Sequence, residues 1–161
     1  MQFVAESTID QVIGQLESDA DTYDIQVEAF EQSQPVVMAY LVSDNFDLLT
    51  QDEREFMLYV ALIIWQSSSK TNPELPSVSE QQLEDAEEAN YELFETLANR
   101  PLHERFDRSF DEYPQEDLLA FVEDVLMAED EPDASEPLVT PEGLEPMFVG
   151  LKSIIDAFHR A

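Results

Sequence analysis

Four residues within nine positions concentrate what little positive charge the chain has: Arg100, His103, Arg105 and Arg108, in the stretch NRPLHERFDR. The 161 residues hold seven lysines and arginines against 37 acids, a formal net charge of −30. Planar guanidinium forks match carboxylates and phosphates at two points. Arg100, His103, Arg105 and Arg108 are therefore the candidate site for a small anionic ligand. The competing reading is local pairing. Glu104 stands four residues from both Arg100 and Arg108, and Asp111 and Glu112 follow. Exposed pairs of this kind are common and individually weak, and the sequence favours pairing over a site.

Metal and nucleophile chemistry finds little footing. His103 and His159 are the only histidines. Asp156-x-x-His159 has the spacing of half a carboxylate–histidine helix motif, but the second half is missing because Arg100 stands three before His103. The acidic stretch 130–136 has Pro132, Ala134 and Ser135 where a calcium loop of the EF-hand type needs ligands and a glycine. There is no cysteine, no GxSxG, no HExxH and no glycine-rich phosphate loop; Gly14, Gly143 and Gly150 are the only glycines. The expectation is a protein without cofactor or metal and without catalytic activity, the alternative being a helical domain, ligand-binding or enzymatic, that uses the Arg100–Arg108 segment.

The charge sets the remaining function classes. Residues 1–50 carry ten acids and no base, and the acids continue along the chain, so no segment is a separate acidic tail. Direct binding to nucleic acid is opposed by a field of this sign. Three readings fit it: a solvated surface, including adaptation to high salt where screening is nearly complete; a basic protein partner steered by the field; and a mimic of nucleic acid occupying a basic binding protein. Association with a second copy of the chain is a further expectation. The start, MQFVAESTIDQ, has neither a basic nor a long apolar segment, so no secretory signal is expected and a cytoplasmic location follows by default.

These residues need elements to hold them, and the periodicity is helical throughout. FMLYVALIIW, residues 56–65, is half the length a membrane span needs and is flanked by TQDERE. It reads as the middle of a central core helix over 51–67, opened by a capping box at Thr50 and Glu53. Helices are expected over 7–18, with Ser7 and Asp10 as cap; over 22–33, where an alternating pattern competes; and over 35–43, from Pro35. Further helices are expected over 79–98, from Pro101 through Phe110, over 114–128, and over 141–160. The last carries the clearest amphipathic stripe, Leu144 to Phe158, read as closing the chain's own core. Residues 67–78 and 129–140 read as flexible loops. The fold class is all-α: a single-domain, irregular bundle of about six or seven helices around the central helix 51–67.

Overall fold

Eight α-helices and two short 3₁₀ turns make up the fold, seen in a computed structural model that describes residues 1–128 and 138–161. The helices are α1 (Glu6–Ser18), α2 (Tyr23–Ser33), α3 (Pro35–Leu41), α4 (Gln51–Thr71), α5 (Glu80–Thr96), α6 (Leu102–Arg108), α7 (Glu116–Leu126) and α8 (Pro141–Arg160). There is no strand among the described residues. The chain is an all-α bundle. Among the described residues there are eight α-helices, one for each segment expected to be helical, against the expected total of about six or seven.

Starts and stops follow the local chemistry. The Thr50 hydroxyl accepts from Glu53 N at 3.1 Å while the Glu53 carboxylate accepts from Thr50 N at 2.9 Å, closing the expected capping box. Ser79 and Gln82 close a second one at α5. Pro35 and Pro141 occupy first turns, where no amide bond is lost. The alternating pattern at 22–33 resolves as helix. Two expectations need correction. Ser7 does not cap α1: Ala5 stands at the cap, and the Asp117 carboxylate of α7 accepts from Glu6 N at 2.9 Å instead. A residue 111 positions away thus satisfies a donor that the local sequence leaves open. The loop predicted from residue 67 begins five residues later: α4 runs on to Thr71, and Asn72 closes it by donating N and Nδ2 to Ser68 O at 2.8 and 3.1 Å. Of the loop predicted over 129–140, residues 129–137 lie outside the described residues.

Two long helices share the centre. The apolar run of α4 buries Met57 and Val60 to Ile64, and α4 packs against α1, α2, α3 and α8. Helix α8 packs on α4, α5 and α7 and is buried without a break from Met147 to Ile155. Its apolar stripe therefore closes the chain's own core, as expected, but its other face is buried too. That face carries small residues, Gly150, Ser153 and Ala157, which let neighbours approach closely. The two helices begin side by side. Both Thr140 N and Thr140 Oγ1 donate to Glu53 Oε2 at 3.1 Å, and Gly143 N donates to Thr140 Oγ1 at 3.2 Å. Glu53 is 1% exposed. Burial pushes its carboxyl up, but the bonds from Thr50 and Thr140 outweigh burial and hold it below the ordinary range. No described helix is long and apolar enough to cross a membrane.

Candidate functional site

The arginine-rich segment occupies the turn before α6 and α6 itself, and its cations do not converge. Arg100 Nη1 lies 3.6 Å from Glu104 Oε2, one helical turn on. Arg108 Nη1 lies 3.8 Å from Asp111 Oδ2. Arg105 turns inward: its Nη1 is 3.3 Å from Glu145 Oε2 of α8, and its guanidinium lies 5.8 Å from the centre of the Phe94 ring. Phe94 belongs to an aromatic cluster with Phe106 and Phe148, the latter two stacked at 4.0 Å. His103 is exposed and makes no hydrogen bond among the described residues. The four residues are close in sequence but do not form one site: each arginine has its own carboxylate, which an incoming anion would have to displace, and His103 stands apart from them.

A different constellation is brought together in the interior, between α5, α8 and the turn before α7. Lys152 is 6% exposed, and its ammonium donates to Asn90 Oδ1 at 2.7 Å and Asp156 Oδ2 at 3.0 Å. It also lies 4.6 Å from the centre of the Tyr113 ring. The Asn90 amide nitrogen donates to Asp156 Oδ2 at 2.9 Å and to Ser153 Oγ at 3.0 Å. Ser153 Oγ donates in turn to Val149 O at 2.7 Å. Tyr113 OH donates to Asp156 Oδ1 at 2.6 Å. Burial and the facing Asp156 carboxylate push the Tyr113 phenol far above its ordinary value, so it stays a donor. In chemical type this lysine, serine, tyrosine and carboxylate set resembles catalytic machinery. Its bonding is that of a structural knot: both amide hydrogens of Asn90 are engaged, the serine hydroxyl is spent on a helix carbonyl, and both Asp156 oxygens accept.

The sequence reading passed over this set, although two signals were present. Lys152 and Asp156 interrupt the apolar stripe of α8 at a four-residue spacing, and Asn90 stands on the inner stripe of α5 with Leu83, Ala86 and Phe94. Asp156, considered above with His159, is thus committed to a lysine. His159 lies 3.3 Å, through Nδ1, from Gln115 Nε2. Gln115 is itself fixed by two backbone contacts: its Oε1 accepts from Val4 N at 3.0 Å, and its Nε2 donates to Gln2 O at 3.1 Å. Nδ1 therefore faces a donor and is the unprotonated nitrogen of the ring. Burial lowers the His159 titration, the amino-terminal charge and Arg160 add to this, and Asp156 opposes it. Among the described residues, no three histidines or acids group in a way that could hold a metal ion.

Helix α5 places a further feature on the surface. Glu80, Glu84, Glu88 and Glu92 recur every four residues on its exposed side, with Asp85 and Glu95 beside them and no lysine or arginine anywhere in the helix. Tyr91 stands among them, 42% exposed. No family model, curated protein or solved structure matches the chain.

Proposed function

We propose that the chain is a non-catalytic helical protein that works through protein contacts, presenting the outer face of α5 to a basic partner. The observation that carries this reading is the exposed row Glu80, Glu84, Glu88 and Glu92, free of any base in its own helix. Successive members rise by about 6 Å along the axis. Like charges four apart each cost an isolated helix a few tenths of a kcal/mol. The row thus works against the helix, which is held by Leu83, Ala86, Asn90 and Phe94 on its inner face. Lysine or arginine side chains of a partner relieve that repulsion, and the exposed Tyr91 ring gives a cation a face to stack on. Elsewhere Arg54, Arg100, Arg105, Arg108 and Lys152 already have carboxylates. This favours a partner that brings cations over a small anion seeking Arg100, His103, Arg105 and Arg108.

Backbone amide mapping by NMR tests the reading. On titration with an arginine-rich peptide at about 0.15 M salt, where exposed charges are screened beyond roughly 8 Å, the shifts should concentrate in Glu80–Thr96. Shifts spread evenly over the acidic surface would reject α5 as the contact face. Shifts produced by inorganic phosphate at Arg100–Arg108 would favour the small-anion alternative.

A further inference from the structure

A second surface feature is independent of α5. Helices α1, α2 and α4 border an open groove of about 570 Å³, a volume in the range of small-molecule sites. Its floor is apolar: Val12 and Leu16 of α1 and the indole of Trp65 of α4. One face of that indole is covered by Phe30, stacked at 5.2 Å and 11°. Gln26 and Gln66 stand at the rim, joined by one bond from Gln66 Nε2 to Gln26 Oε1 at 2.8 Å. The Gln26 amide hydrogens and the Gln66 carbonyl oxygen remain open among the described residues.

The groove has opposite charges at its two ends. Helices α1 and α4 run antiparallel: Gln2 N donates to Asn72 Oδ1 at one end, and the Tyr23 ring, just past α1, lies 6.3 Å from Tyr59 toward the other. Asp19, past the end of α1, and Lys70, near the end of α4, therefore line opposite ends. The α1 side alone, from Val12 to Asp19, spans about 10 Å. Asp19 and Lys70 do not pair with each other, and among the described residues neither has an opposite charge within 4.0 Å. Of the seven lysines and arginines, only Lys70 and Arg160 have no carboxylate within 4.0 Å among the described residues, and Lys70 shares this groove with a single acid, Asp19.

We propose that this groove binds a small zwitterion whose ammonium and carboxylate stand at opposite ends of an apolar stem, an ω-amino acid being the simplest member of the class. The stem lies on Val12, Leu16 and the indole, the carboxylate meets Lys70, and the ammonium meets Asp19. A free anion is repelled by the net charge of −30. A simple amine is drawn to acids all over the surface and has no reason to choose this place. Only a molecule bearing both charges at the right separation gains from both ends.

Trp65 is the only tryptophan, so its fluorescence reports on the groove alone. Titration with ε-aminocaproate at about 0.15 M salt should give a saturable change. Pentylamine and caproate, each bearing one of the two charges, should bind at least about ten-fold more weakly, as should γ-aminobutyrate with its shorter stem. Lys70→Met and Asp19→Asn, both on exposed side chains and checked for unchanged helix content, should each weaken ε-aminocaproate by a similar factor. No saturable change with ε-aminocaproate overturns the proposal. So does a response that pentylamine reproduces, or one that both variants retain in full.

Discussion

Lys152 is accommodated in the core by Asn90, Asp156 and the face of Tyr113, which surround its ammonium. Truncating one partner leaves the other charge stranded, which costs far more than the net worth of the pair. Asp156→Ala should therefore destabilise the protein by about 3 kcal/mol in urea unfolding; a loss below about 1 kcal/mol would mean that water reaches the ammonium. A partly buried carboxylate among other acids behaves in the opposite sense. Burial, then Asp107 and Asp124, raise the Glu123 carboxyl above its ordinary 4.5. The folded chain then holds this proton more tightly than the unfolded one. The associated stability is present below about pH 4.5 and lost as pH rises through the folded value. Glu123→Gln should raise the melting temperature at pH 7 and leave it unchanged near pH 4, by scanning calorimetry. At this scale the sequence was only partly legible. Arg100, Arg105 and Arg108 could be ranked as paired from their neighbours, but Glu145 as the partner of Arg105 could not, since forty residues separate them. The Lys152 knot needs Asn90 from another helix: polar residues on the inner faces of α5 and α8 are legible in the sequence, but not that they meet.

Helices were legible where caps and periodicity agreed, and misread where a distant residue did the work. Thr50 with Glu53, and Pro35 at the head of α3, marked their helix starts in the sequence. The start of α1 depends on Asp117 of α7, which periodicity cannot reveal. The amphipathic stripe of α8 was correctly seen, but not that its opposite face is also covered, because small residues signal close approach only once a neighbour is known. Glycine separates the two situations. A methyl group at Gly14, on the exposed side of α1, meets nothing within 4 Å; one at Gly150 would stand 2.8 Å from Phe46 Cζ and 2.7 Å from Met57 Cε. Gly14→Ala should stabilise by about 1 kcal/mol through helix preference. Gly150→Ala has the same gain, but overpacking costs about 1–3 kcal/mol. The Met57 methyl can yield, whereas the Phe46 ring is fixed by Tyr40 at 5.0 Å, so the net effect should be destabilising. Equal melting temperatures for the two variants would contradict this view of the α8 interface.

For the molecule as a whole, the core and the charge are separate matters. The buried set runs from Val4 to Phe158 through every α-helix, and its formation does not depend on what the surface acids face. The all-α class could be read from composition and periodicity for this reason. The use of the surface could not, because 37 acids follow from solvation, salt adaptation or partner binding alike. Repulsion among them should still be measurable. The protein should unfold cooperatively at about 0.05 M KCl, and its melting temperature should rise as salt shortens the screening length toward about 3 Å at 1 M. A chain that is unfolded at low salt and helical only above molar KCl would make the acidity an environmental requirement and remove it as an argument for a partner.

The most direct test of the α5 face compares two triple variants of identical net charge: Glu84, Glu88 and Glu92→Gln on α5, and Glu17, Glu28 and Glu31→Gln on α1 and α2, all exposed positions. Affinity for an arginine-rich peptide is measured by titration calorimetry at about 0.15 M salt. Recognition by α5 predicts a loss of about ten-fold or more, ~1.4 kcal/mol, for the first variant and little change for the second. Equal losses in both would show that the peptide responds only to total charge, and would contradict a dedicated contact face on α5.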